Sequence, residues 1–141
     1  MTGKLEGFKA ISTNTTTNPF CIKMNKSTDP DQICPICYSH GMLKSYRKNM
    51  QPALQRNSDL LSSRVLDVSE LETYLDAFLR INAHGELINL THLINIANIA
   101  RHNPHCNVAL WTKRKDFVNA YMKEHELPDN LILIWSNPKI N

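Results

Sequence analysis

Phe78-Leu-Arg-Ile-Asn-Ala83, then Asn89-Leu-Thr-His-Leu-Ile-Asn-Ile-Ala-Asn-Ile-Ala100, then Val108-Ala-Leu-Trp111 is the stretch that decides the fold. The first run suits a strand, and His84-Gly85-Glu86 after it reads as a turn. Asn89 is placed to cap a helix in which Leu90, Leu93, Ile94, Ala97 and Ala100 recur at helical spacing. Arg101 and His102 fall in its last turn, and Asn103-Pro104 stops it. Val108 to Trp111 is short and apolar, as a buried strand is. The segment Thr112 to Lys115 leads into a second helix with Phe117, Val118, Tyr121 and Met122 inward, ended by Leu127-Pro128. Leu131-Ile-Leu-Ile-Trp135 is the last strand. Apolar strands alternating with helices predict a parallel sheet covered by helices.

Working outward, the first half is looser. Gly7 to Ser12 alternates as another strand, giving about four in all. Thr13 to Gln32 is rich in threonine, asparagine and proline and reads as a long loop, of the kind held by something such as a metal. Met42 to Lys48 and Ala53 to Leu61 read as helical, with Pro52 at a break or first turn. Ser69-Glu70-Leu71-Glu72 predicts a capping box opening a helix that carries Leu71, Leu75 and Phe78.

A chain of 141 residues is long enough for one α/β domain with a real core, spanning 1–141. The longest apolar run, Leu131 to Trp135, falls far short of the roughly 20 residues that cross a bilayer. The first seven residues carry no apolar stretch of leader type. The expectation is a cytoplasmic protein without a membrane partner, whose thiols stay reduced. A net charge of +3 gives no global argument for nucleic acid. Neither a Walker loop nor a dinucleotide glycine fingerprint is present.

Chemistry points to the cysteines. Three of the four, Cys21, Cys34 and Cys37, lie close in sequence and end in the pair Cys34-Pro-Ile-Cys37. A C-x2-C turn presents two thiolates to one metal ion or cluster iron without backbone strain. In parallel α/β sheets the loops after the strands build the site. These three follow the first strand, so they share a rim with His84 to Glu86, Trp111 to Lys113, Ser136 and Asn137. Cys106 precedes its strand and would stand roughly 15 Å away, so it is the secondary candidate for a fourth metal ligand. His40 and His84 are others. Zinc is the alternative to an iron–sulfur cluster, although a second C-x2-C or a histidine pair at finger spacing is absent. His92, His102, His105 and His125 read as helix-surface or helix-end residues.

Gly7-Phe-Lys-Ala-Ile11, Cys34-Pro-Ile-Cys-Tyr-Ser-His-Gly41, Asn57, Arg80 to Glu86 and Trp111-Thr-Lys113 together resemble the gene-product-88 family of bacteriophages. That family in turn resembles the N-terminal half of a radical S-adenosylmethionine barrel. The resemblance implies a half-barrel-like sheet, with a [4Fe-4S] cluster held by three cysteines in the loop after the first strand. It matches Tyr38 to the aromatic beside the last cysteine, and Gly85-Glu86 to the step that meets the methionine amino group. Glu86 and Lys113 are then expected to orient an exchangeable ligand, S-adenosylmethionine or a nucleotide. Twelve residues separate Cys21 from Cys34, a wider spacing than that superfamily has. A half barrel also invites a homo-oligomer that completes it.

Two basic groups, Lys44-Arg47-Lys48 and Lys113-Arg114-Lys115, follow the cysteine loop and the third strand. Both are placed to border the rim, where an anionic ligand or nucleic acid would be favoured. A zinc-stapled binding module for protein or nucleic acid is the non-catalytic alternative.

Overall fold

The computed structural model describes residues 6–139. Of the N-terminal segment read above as leaderless, residues 1–5 lie outside that range. Four strands, β1 (Lys9–Ile11), β2 (Phe78–Ile81), β3 (Asn107–Thr112) and β4 (Leu131–Trp135), pair in sequence order and are all parallel. Five α-helices accompany them: α1 (Pro19–Asn25), α2 (Tyr38–Lys44), α3 (Gln51–Ser63), α4 (Leu90–His102) and α5 (Lys115–Met122). The architecture is an α/β half-barrel-like sheet. No helix among the described residues is long and apolar enough to cross a membrane.

Period-2 alternation divides the sheet into two faces. Leu79 and Ile81 of β2 and Val108 and Leu110 of β3 are wholly buried against the helices. They meet Leu93, Ile96, Ala97 and Ala100, which form one stripe of α4. α4 packs between α3 and α5. Burying each leucine or isoleucine there contributes roughly 1.5–3 kcal/mol. The opposite face is barer than apolar strands predict. Phe8, Phe78, Trp111 and Ile132 remain exposed, with the half-buried Arg80 beside them.

Local signals explain the helix boundaries. Asn89 Oδ1 accepts from His92 N at 2.9 Å, closing the first turn of α4 as expected. Pro52 sits in the first turn of α3, where its missing N–H is harmless. Three expectations need correcting. The predicted loop 13–32 contains α1, whose Asn18 side chain accepts from Phe20 N and Cys21 N. The capping box lies two residues earlier, between Asp67 and Glu70, and it closes only a 3-10 turn. No helix follows: Arg64 holds Glu70 through two hydrogen bonds, and Leu75 projects into solvent. Met122 is exposed, not inward.

Buried amides stitch the connections. The Asn95 side chain accepts from Leu66 N (2.9 Å) and donates to Leu61 O (2.9 Å) and Arg64 O (2.8 Å), with no solvent exposure. Asn95→Ala strands these three groups and is expected to cost about 2 kcal/mol in a urea titration. A variant as stable as the parent would contradict the bonding.

Candidate functional site

The C-terminal ends of the strands open onto a cavity of about 180 Å³. Its walls include Cys21, Cys34, Cys37, Glu86 and Lys113, contributed by separate connections. Cys21 stands in the first turn of α1, held by the Asn18 cap. Asn18 Nδ2 also donates to Glu86 O at 3.1 Å, tying α1 to the loop after β2. Cys34 opens a 3-10 turn, Cys34–Ile36, and Cys37 immediately precedes α2. At the far end of α1, Asn25 Nδ2 donates to Cys34 O at 3.0 Å. Ile33 N donates to Pro138 O at 2.9 Å, and Gln32 bridges Lys139. The protein's own amides therefore hold the long loop in place.

All three thiols of this loop are free and partly buried. Burial pushes the Cys21 thiol up to about 12, with the nearby negative Glu86 and Cys37 adding to it and Lys113 opposing. Burial also raises Cys34, against the pull of Lys113. These mutual influences tie the sulfurs, Glu86 and Lys113 to one neighbourhood. Cys21 thus stays protonated at neutral pH, and a metal that bound it would displace that proton. Among the described residues, no three His, Cys, Asp or Glu side chains converge tightly enough to hold a single metal ion.

Cys106 is not with the other three. It lies in the hydrophobic core, wholly buried at the start of β3, with its thiol toward Asn107 O at 3.9 Å. That position corrects its candidacy as a fourth ligand at this cavity: the strand length separates it from the rim, as the spacing argument had it.

Glu86 is more heavily used than its turn position suggests. Thr112 Oγ1 donates to Oε1 at 2.5 Å, Leu87 N to Oε1 at 2.8 Å and Lys113 N to Oε2 at 2.8 Å. A carboxylate has about four acceptor sites, so roughly one is left for anything bound in the cavity. Burial raises its pKa, while the Thr112, Lys113 and Leu87 donors pull it back. The side chain thus clamps the loop after β2 to the end of β3.

Between these lies a second set of residues. Ser39 Oγ is 2.8 Å from His84 Nδ1, the Tyr38 hydroxyl donates to Ala83 O at 3.1 Å, and the Tyr38 and His84 rings lie 6.0 Å apart. Burial, with Arg47 and Arg80 nearby, lowers His84 and keeps its ring neutral. His40 is buried, and its Nδ1 has no hydrogen-bond partner. Asn82 takes φ +64° and donates to Trp111 O at 3.1 Å. Gly85, at φ +103°, passes so close to Thr13 that a Cβ would lie 2.8 Å from its carbonyl oxygen.

Of the basic groups, Lys113 alone of its trio lines the cavity. Arg114 pairs with Asp116 at 2.6 Å and lies over Phe117 (3.8 Å) and Phe20 (4.9 Å), and Lys115 lies over Trp135 at 5.5 Å. Arg47 faces a neighbouring cavity instead. Sequence reasoning gave no role to Ser39, Asn82 or Arg80. The β2 register carried the signal: with Leu79 and Ile81 inward, Arg80 must face the open side.

The fold and site define an α/β half barrel with a cysteine-lined cavity at its C-terminal rim. A family model described as gene product 88 matches residues 9–141, and the chain belongs to that family. Comparison with curated proteins gave no match, and neither did comparison with solved structures.

Proposed function

We propose that the protein binds an iron–sulfur cluster of the [4Fe-4S] type through Cys21, Cys34 and Cys37. The observation that carries this reading is that the three cysteines, on α1, the 3-10 turn and the residue before α2, line one cavity at the rim. Three thiols bordering one cavity suit a cluster in which each thiolate takes its own iron. Zinc asks for four donors about one centre, so the arrangement favours the cluster over the zinc-stapled alternative. Lys113, beside Cys21 and Cys34, would offset thiolate charge. With three cysteines as ligands, a fourth iron is left to an exchangeable ligand, and Glu86 lines the same cavity. Redox or ligand-activating chemistry is what such a cluster supplies when bound. Through the family's resemblance to radical S-adenosylmethionine enzymes, the exchangeable ligand on this reading is S-adenosylmethionine or a nucleotide. Added S-adenosylmethionine should then change the EPR spectrum of the reduced protein.

The test is a set of single substitutions under anaerobic reconstitution. Cys21→Ser, Cys34→Ser and Cys37→Ser are each expected to reduce bound iron and sulfide severalfold or more, while Cys106→Ser retains both. Equal loss in all four variants, or in none, would refute the three-cysteine reading.

Self-association belongs to the same reading. Parallel sheets are almost always covered on both faces, yet this one leaves Phe8, Phe78, Trp111 and Ile132 exposed between two edge strands. A second copy joining β1 to β4 would cover that face. Sedimentation should find a dimer at micromolar concentration, and a monomer there contradicts it.

A further inference from the structure

Among the described residues, Arg80 is a cation without a counter-ion. It makes none of the three ion pairs found among the described residues, and its Nε is buried with no hydrogen-bond partner. The guanidinium lies 5.1 Å from the Trp111 ring centroid, within reach of a cation–π contact. Glu86, the carboxylate that lines the cysteine cavity together with Arg80, is already engaged by three donors. A buried donor left unpaired is costly, so something outside the chain is the natural acceptor.

Arg80 stands in the wall between the cysteine cavity and a larger one of about 670 Å³. Arg47 and His84 line the larger cavity as well, with Asn57 and the apolar Phe8 and Leu54. Arg47 makes no ion pair among the described residues either. That volume is within the ordinary range for small-molecule sites, roughly 300–1,000 Å³. A guanidinium offers a rigid fork of donors matched to carboxylate or phosphate oxygens.

We propose that Arg80, with Arg47, binds the oxyanion of a small phosphate- or carboxylate-bearing ligand in this larger cavity, beside the cysteines. The site needs no metal and stands apart from the cluster reading. Calorimetric titration of the purified protein at physiological salt, with inorganic pyrophosphate and separately with malonate, tests it. Saturable binding of pyrophosphate identifies a phosphate ligand, and of malonate a carboxylate; either supports the site. Arg80→Gln should weaken the bound probe about tenfold or more, with partial rescue in Arg80→Lys. Lys23→Gln, exposed on α1 away from both cavities, should bind as the parent does. Should Arg80→Gln fail to fold, Arg47→Gln and the parent titration still decide. Absence of binding by the parent for both probes overturns the proposal. So does unchanged affinity in Arg80→Gln, including the case in which that variant instead loses iron.

Discussion

Gly85→Ala is expected to destabilise the protein by roughly 4 kcal/mol, combining left-handed backbone strain with a forced contact. The residue sits at φ +103°, where side chains are rarely tolerated, and its added Cβ would lie 2.1 Å from Thr13 Oγ1 and 2.8 Å from Thr13 O. The hydroxyl could rotate away. The carbonyl could not, because Thr13 is anchored by its own N–H donating to His84 O at 3.0 Å. The close approach exists because the loop after β1 crosses the turn after β2 on its way to the cysteines. Strain there should therefore disturb the cavity as well as the fold. Gly41→Ala is the matched control, since nothing lies within 4 Å of its added Cβ. In the interior of α2 that change should stabilise by up to about 1 kcal/mol. Urea unfolding of both variants reads the contrast, and equal midpoints would contradict the backbone described here.

Acid should unfold the protein through His92. The ring is wholly buried at the start of α4, its Nδ1 accepts from Ile88 N at 3.2 Å, and its Nε2 has no partner. Burial lowers it from the ordinary 6.5 to about 4. A base depressed on folding contributes stability that is present above its unfolded value and is lost as pH falls through its folded one. The window is therefore pH 6.5 down to 4, and the loss across it is roughly 3 kcal/mol. Glu86, raised by burial, acts in the opposite sense: its contribution is present at low pH and falls as pH rises. The comparison that isolates the histidine is His92→Gln against the parent at each pH. The variant should be less stable at pH 7 and lack most of the slope between pH 6.5 and 4. Parallel slopes would show that this ring carries no proton-linked stability.

The second half of the fold was legible because its signals are local. The Asn89 cap, the 3.6-residue stripe of α4 and the apolar run Leu131 to Trp135 each specify an element without reference to distant chain. The segment 67–77 was misread because the capping box there is Asp67 with Glu70, not Ser69 with Glu72, and it closes a single 3-10 turn with no helix after it. α1 was missed because only seven residues form it, and Asn18 is shared between capping it and bonding Glu86. At the site, the gathering of Cys21, Cys34 and Cys37 at one rim followed from strand direction alone. His92 was misassigned to the surface, because its neighbours Leu93 and Ile96 define the buried stripe only once α3 and α5 are packed against it. The triple engagement of Glu86 was invisible, since two of its donors come from the end of β3.

The account turns on what the three rim thiols hold. Iron, acid-labile sulfide and zinc should be quantified on protein purified without oxygen and reconstituted with iron and sulfide. About four irons and four sulfides per chain, with a broad absorption near the blue end of the visible spectrum, is the predicted result. Stoichiometric zinc with no iron uptake, or no retained metal at all, would contradict it.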